Sequence, residues 1–166
     1  MLFKKIFVLI SLLLFSFSSY ANTPSSTGKY KNWESFTVET DKGKICFAQT
    51  VPTKRAPAAI KREKSKLFVT FRPSADIKDE ISLTSGHDYK SSTVTASSGK
   101  RRYSFFSQKD FAWLLDDQEE QKFIKLMKKA TDVIVKARTT NGAETTDHYS
   151  MMGFTKAYNT AKKTCG

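Results

Sequence analysis

Cys46 and Cys165 are the two cysteines of this chain and the side chains best suited to covalent chemistry. They lie 119 positions apart. Zinc knuckles and C-x-x-C redox pairs need cysteines only a few residues apart, so this spacing excludes both. Two alternatives remain: a disulfide between the two cysteines, or two thiols, of which Cys46 beside a histidine would be a candidate nucleophile.

The two histidines, His87 and His148, are each next to an aspartate, Asp88 and Asp147. If these four side chains met in a cleft, they could supply the base and the orienting group of a small hydrolase. On a strand, however, neighbouring residues such as Asp147 and His148 point to opposite faces. The chain also has no G-x-S-x-G, no H-E-x-x-H, no glycine-rich phosphate loop and no Cys/His ligand set. We therefore expect no catalytic residue, metal or cofactor, and keep the hydrolase as an alternative.

Basic residues gather in the stretches KRAPAAIKREKSK, residues 54–66, and KRR, residues 100–102. The first contains a proline and lacks apolar alternation, which predicts a long exposed loop. Neither stretch has the interleaved aromatic residues of single-strand nucleic-acid grooves. Both predict either an ordinary solvated surface or a contact surface for an anionic partner. The candidate contact residues are Lys54, Arg55, Lys61, Arg62, Lys64, Lys66, Lys100, Arg101 and Arg102.

The start of the chain predicts export. MLFKK supplies a basic segment, IFVLISLLLFSF an apolar one too short to span a bilayer, and SYA a small-residue cleavage site, so residues 1–21 are expected to be a signal peptide. An exported chain meets an oxidising compartment, which favours the disulfide. The formal net charge is +12, and the cleaved segment removes only two lysines from it. Such a surface favours anionic partners, which outside the cytoplasm are lipids, lipopolysaccharide or host surfaces rather than nucleic acid.

The remaining chain fits a single domain of short strands. Residues 22–32 are polar and without periodicity, and are expected to be a flexible lead to a domain spanning residues 33–166. Period-two alternation predicts nine strands, at WESFTVET, ICFAQT, KLFVTFRP, DEISLTS, STVTAS, RYSFFS, FAWLL, DVIVKART and ETTDHYS. The tryptophans Trp33 and Trp113 lie in such runs and are expected to anchor the core.

Two segments have helical spacing instead. DDQEEQKFIKLMKKA places Phe123 and Met127 on one stripe, with Asp116 or Asp117 as cap. GFTKAYNTAKKTCG continues an apolar stripe as far as Cys165. The fold class predicted is mainly β, an antiparallel β-sandwich or flattened barrel with two short helices, one of them C-terminal.

Ordered motifs over the whole domain resemble one known family, the invasion associated locus B proteins exported by Gram-negative bacteria. The first motif is of the kind W-x-x-F/Y-T-x-E-x-x-x-G-K-x-C-F-A, at residues 33–48. FVTxRP follows at 68–73, EIS at 80–82, AWL at 112–114 and TTDHYSMMGFTKA at 145–157, before a cysteine at the end of the chain.

The resemblance implies a periplasmic or secreted, envelope-associated and non-enzymatic protein. One member of the family contributes to red-cell entry, but many occur in bacteria that invade nothing, so the name implies no activity. The family's two-cysteine arrangement agrees with a disulfide between Cys46 and Cys165. We expect a monomer whose partner is an unknown protein or an anionic envelope or host surface, with the outer membrane among the candidate locations. A periplasmic chaperone, which would need an exposed apolar groove or sheet edge, is a further alternative.

Overall fold

A computed structural model describes residues 23–166, so the expected signal peptide lies outside the described residues. The described part contains eleven strands, two α-helices and one short 3-10 helix, Pro73–Ala75. The strands are β1 (Ser25–Tyr30), β2 (Trp33–Thr40), β3 (Gly43–Thr50), β4 (Lys54–Ala56), β5 (Lys66–Arg72), β6 (Ile77–Thr84), β7 (Val94–Ser98), β8 (Arg101–Gln108), β9 (Phe111–Trp113), β10 (Asp132–Arg138) and β11 (Glu144–Ser150). Helix α1 (Asp117–Met127) precedes β10, and helix α2 (Phe154–Cys165) follows β11.

All these strands belong to one antiparallel sheet in the order β1-β2-β3-β5-β6-β9-β8-β7-β10-β11-β4. Strand β8 pairs with β7 over residues 101–105 and with β9 over residues 106–108, so it links two halves of the sheet. The first half is β1, β2, β3, β5, β6 and β9, and the second is β7, β10, β11 and β4. Apolar residues from both halves and both helices form one core. The predicted mainly antiparallel β fold with two helices is confirmed, as a sandwich-like sheet that does not close.

The nine predicted strands are all present, because alternation reports which face of a strand is buried. Leu67, Val69 and Phe71 of β5 are buried, as are Val94 and Ala96 of β7. Two further strands, β1 and β4, are the two edges of the sheet.

The expected flexible lead over residues 22–32 is wrong, because β1 lies within it. Its backbone pairs with β2, and the Thr27 hydroxyl donates to the Ser35 hydroxyl at 2.9 Å. At its end, the Tyr30 hydroxyl is hydrogen-bonded to that of Thr160 in α2, also at 2.9 Å. Pairing and polar anchors hold a strand here that carries no apolar alternation.

The long loop expected over residues 54–66 is also wrong in part, because its first residues form β4. The Thr53 amide donates to the His148 carbonyl at 2.8 Å, which begins a short pairing of β4 with β11. The inward residue of β4 is Arg55, opposite Asp147. An inward-pointing charge is one way in which natural edge strands resist further pairing. Because the inward residue is charged, the sequence of β4 shows no apolar alternation from which a strand could be predicted.

Helix α1 begins where the charge pattern predicts. The Asp116 carboxylate accepts the Glu119 amide at 2.9 Å and caps the helix. Phe123 is fully buried and packs its ring against those of Tyr103 and Phe105, at centroid distances of 4.8 and 5.9 Å. No helix in residues 23–166 is long and apolar enough to cross a membrane.

Helix α2 covers the inner face of the first half of the sheet. Phe154 packs on Trp33 with ring centroids 4.7 Å apart, and Tyr158 packs on Phe71 at 5.6 Å. The predicted disulfide between Cys46 of β3 and Cys165 of α2 is confirmed. It joins the last turn of the helix to an early strand, so the alternative of a free Cys46 nucleophile is not realised.

Candidate functional site

Strand register places one basic residue from each predicted cluster in a single row across the second half of the sheet. Lys54 lies opposite His148, His148 opposite Ile134, Ile134 opposite Ser97, and Ser97 opposite Arg102. Residues directly opposite one another on paired strands point to the same face of the sheet. Lys54 and Arg102 are therefore the two ends of one row, about 19 Å apart for four steps of about 4.8 Å.

This row lies on the outer face, because the residues that alternate with it, such as Asp147 and Val135, are buried. The next row on the same face contains Lys136, between Thr146 and Thr95. We call this surface of β8, β7, β10, β11 and β4 the basic face. Its titratable and cationic members in these two rows are Lys54, Arg102, Lys136 and His148.

Charge on the basic face is only partly neutralised. Lys136 forms an ion pair with Glu144 at 3.5 Å. Within residues 23–166, Lys54 and Arg102 form none. Both are exposed, so their charges are available to an anionic partner.

The β7–β8 hairpin extends the basic face at one end. Gly99 has φ +56°, and a Cβ there would meet nothing within 4 Å, so the turn projects into solvent. Lys100 and Arg101 follow it and are exposed beside Arg102. Of the other predicted contact residues, Lys61 and Lys64 are exposed in residues 57–65, between β4 and β5.

The prediction that Arg62 belongs to the contact surface is wrong, because its side chain is only 2% exposed. Its guanidinium donates to both carboxylate oxygens of Asp147, at 2.6 and 2.8 Å. The same group donates to the Ser85 carbonyl at 3.0 Å. Arg62 is thus an internal connector between the loop and β11, unavailable to a partner.

Arg55 and Lys66 also contribute less than expected. Arg55 points inward, with its Nε 3.8 Å from an Asp147 oxygen and its guanidinium donating to the Glu63 carbonyl. Lys66 is half-buried, with its ammonium 5.8 Å from the centroid of the Phe68 ring. The exposed contact residues are therefore Lys54, Lys61, Lys64, Lys100, Arg101 and Arg102.

The hydrolase constellation is not assembled. His87 Nε2 is hydrogen-bonded to the Thr145 hydroxyl on the inner face of β11, at 2.9 Å. His148 lies three residues further along the same strand, which turns its side chain to the outer face. Asp147 holds Arg62 rather than either histidine. The His87 Nδ1 contacts only the Asp88 carbonyl, at 2.9 Å, and not its carboxylate.

Two tyrosines lie near the buried Asp147. Burial raises the pKa of Tyr149 and of Tyr89, and the negative charge of Asp147 raises both further. Both hydroxyls therefore stay protonated at neutral pH. Contact with Ser85 opposes this rise in pKa for Tyr89, whereas the Tyr149 hydroxyl makes no hydrogen bond with another described residue.

A second polar cluster lies where α1 meets β6. The buried Asp79 carboxylate accepts the Tyr158 hydroxyl at 2.6 Å and the Gln121 amide at 2.7 Å, which ties α2 and α1 to one group. Glu120 is 6% exposed and accepts the Ile81 amide at 2.9 Å. Burial raises the pKa of Glu120 to about 7, against the opposing effect of that hydrogen bond.

The outer face of the first half of the sheet is aromatic. Neighbouring rings along it have centroids 5.2, 6.2, 6.4 and 5.8 Å apart. We call this row, which consists of Phe36, Phe47, Phe68, Phe111 and Trp113, the aromatic stripe. Trp33 is fully buried as expected, whereas Trp113 is only half-buried and lies on this outer face. Three of the four ring pairs are stacked, and all five side chains are half-buried.

Sequence reasoning missed Lys136 and His148 as members of the basic face. Their signal was the alternation of DVIVKAR and TDHYS, which places both side chains opposite the buried residues. What the alternation could not show is that β10 and β11 lie between β4 and β7. That strand order is what joins the two basic clusters.

No three His, Cys, Asp or Glu side chains in residues 23–166 come together in a group that could hold a metal ion. Comparison of the chain with protein-family models, curated proteins and solved structures gives no match.

Proposed function

We propose that this chain is an exported, non-enzymatic accessory protein of the cell envelope, of the invasion associated locus B kind, that contacts an anionic surface through its basic face. It acts in the periplasm or outside the cell after loss of its signal peptide, and an outer-membrane or host surface is a suitable partner. The motifs over residues 33–165 and the signal-like start of the chain support export and the family.

The observation that carries the proposal is the row from Lys54 to Arg102. Two basic clusters distant in the sequence reach one outer face, and the cations at its ends have no internal partner among the described residues. A charge without an internal partner keeps its attraction for an external anion. The outer face of a sheet suits an extended surface better than a small ligand, which needs a concave site.

The test is sedimentation with vesicles of phosphatidylcholine alone or mixed with phosphatidylglycerol, at low and at physiological salt. Each basic residue near an anionic bilayer contributes about 1 kcal/mol. We expect the Lys54→Glu/Arg102→Glu variant to bind the anionic vesicles at least about 30-fold more weakly, since about 2 kcal/mol of attraction is lost. Salt should weaken the binding of the unaltered protein.

The matched control is Lys42→Glu/Lys125→Glu, which makes the same change in net charge outside the basic face, at two exposed residues. It should keep most of the binding. Equal losses in both variants, or no binding to anionic vesicles at low salt, would contradict the proposal. Crosslinking in intact envelopes at low and high salt then shows whether the natural partner is a lipid surface or a protein.

A second candidate function is a periplasmic chaperone, which the open edge at β1 and the aromatic stripe favour. Strand β1 pairs with β2 alone within the described residues, so its other side can accept an extended segment of a client. The test is whether the protein suppresses the aggregation of an unfolded client. Suppression that is lost in the Phe111→Ser variant would support this function. An unchanged effect of that variant would count against the stripe as a client site.

A further inference from the structure

A cavity of ≈ 550 Å³ opens where the β1–β2 turn meets the start of α2. Its size falls within the range of small-molecule sites, roughly 300 to 1,000 Å³. The residues that line it and matter for binding are Lys29, Lys31, Lys156, Met151 and Met152. We call it the lysine cavity. It is formed by different residues from the basic face.

Hydrogen bonds between the β1–β2 turn and the segment that precedes α2 hold the walls of the lysine cavity together. The Asn32 amide donates to the Met152 carbonyl at 3.2 Å, and the Trp33 indole N–H donates to the Ser150 carbonyl at 2.9 Å. Gly153 has φ +98°, and a Cβ there would overlap the Tyr30 carbonyl oxygen. The turn therefore lies directly on the residue that caps α2, and the cavity is preformed.

The charge of the cavity lining is positive, and the nearest carboxylate by strand register, that of Glu34 opposite Lys29, accepts the Ser26 hydroxyl and forms no ion pair with the lysine. The lining contains three lysines and no acidic residue. Within residues 23–166 none of the three forms an ion pair, and the first turn of α2 contains no acidic residue. Three ammonium groups suit a ligand group of more than one negative charge, such as a phosphate monoester, better than a single carboxylate. The dipole of α2 adds to this field.

The cavity also has an apolar part. Met152 lines the cavity with the lysines and is 50% exposed, whereas the neighbouring Met151 is only 5% exposed. Methionine side chains adapt their shape to flexible apolar ligands. An exposed large apolar side chain surrounded by cations matches a ligand that carries both an anionic group and an apolar chain.

We propose that the lysine cavity binds the phosphate group of an anionic amphiphile, with the phosphate among the three lysines and the start of the apolar chain against the two methionines. The amphiphile comes either from an anionic bilayer or as a free single-chain phospholipid. This proposal concerns a different site from the basic face. Loss of binding at the lysine cavity would leave the proposed function of the basic face in place, and the reverse also holds.

Titration calorimetry with a soluble, short-chain lysophosphatidic acid below its micelle concentration tests the proposal. The cavity variant is Lys31→Asn/Lys156→Gln, in which asparagine tolerates the positive φ of 55° at position 31 and glutamine keeps the helix. We expect at least a tenfold loss of affinity. Met152→Ser should weaken binding of the amphiphile severalfold and leave the weak binding of inorganic phosphate unchanged.

The control variant Lys42→Gln/Lys125→Gln makes the same charge change away from the cavity and should bind normally. Thermal unfolding of each variant checks that it is folded. The proposal is overturned if the cavity variant binds as tightly as the unaltered chain. Inorganic phosphate binding as tightly as the amphiphile would overturn it too, because the apolar part would then have no role. The source follows from the effect of the cavity variant on each probe: loss of binding to free lysophosphatidic acid alone indicates a free amphiphile, and a further loss with vesicles that contain phosphatidic acid indicates a bilayer.

Discussion

Arg62 lies among exposed, charged neighbours in the sequence, yet its guanidinium is buried on Asp147. Both groups are nearly inaccessible, and the arginine also satisfies the Ser85 carbonyl. Removing one member of such a pair leaves an uncompensated buried charge, which costs far more than the pair itself contributes. The role of Arg62 is therefore structural.

We expect Arg62→Ala to lower the free energy of unfolding by about 3 to 5 kcal/mol. The exposed neighbour Lys61 provides the control, because Lys61→Ala should change the free energy of unfolding by no more than about 0.5 kcal/mol. Urea denaturation measures both. Combining Arg62→Met with Asp147→Leu should recover part of the loss, since both fully buried charges are then removed and only the one-third-exposed Arg55 loses its ion-pair partner. Equal effects of Arg62→Ala and Lys61→Ala would show that the buried pair is unimportant.

Glu120 makes the stability of the fold depend on pH. Its pKa rises from 4.5 to about 7 on folding, mainly because of burial. The folded protein therefore holds this proton over a range in which the unfolded chain has released it. The free energy of unfolding should fall as pH rises from 4.5 to about 7, and the loss should be complete above that range.

Glu120→Gln removes this charge and keeps an oxygen for the Ile81 amide. Above pH 7 the variant should be more stable than the unaltered chain by up to about 3 kcal/mol, whereas near pH 4 the two should be alike. Denaturant unfolding over a pH series measures the difference. Glu119→Gln, at the neighbouring carboxylate that pairs with Lys122, is measured in the same series as the matched control. A constant difference at all pH values would contradict the assignment to Glu120.

At the scale of elements, the disulfide is a covalent cross-link between the last turn of α2 and β3. It acts beside extensive packing, since Phe154, Ala157, Tyr158 and Ala161 are all buried. Because it joins residues 119 positions apart, it also restricts the unfolded chain strongly. The helix should therefore stay docked after reduction, at a lower overall stability.

Cys46→Ala/Cys165→Ala is expected to fold and to lose about 2 to 5 kcal/mol of unfolding free energy. Urea denaturation with and without reductant tests this expectation. Reductant should bring the unaltered protein to the stability of the variant and leave the variant unchanged. A reductant effect on the variant, or none on the unaltered protein, would argue against the bond.

At the scale of the whole molecule, the two halves of one sheet present different outer surfaces. The second half carries the basic face, and the first carries the aromatic stripe. Strand β8 belongs to both, because its residues pair with β7 at one end and with β9 at the other. Binding through the basic face should therefore leave the aromatic stripe free.

Most of this fold could be predicted from the sequence, because in nine strands and two helices the spacing of apolar residues indicates which face is buried. Strands β1 and β4 could not, because edge strands are held by pairing and by polar contacts such as that of Arg55 with Asp147. The disulfide followed from cysteine spacing and the expected export. The contact surface was predicted only in part, because the burial of Arg62 depends on a partner 85 positions away.

The disulfide also closes a covalent ring that contains residues 57–65, in which Lys61 and Lys64 are exposed. A protease that cuts after Lys61 or Lys64 opens this ring without releasing either piece. The basic face draws Lys54 from before such a cut and Arg102 from after it. A nicked molecule therefore remains a single covalent unit that still carries both ends of its contact surface.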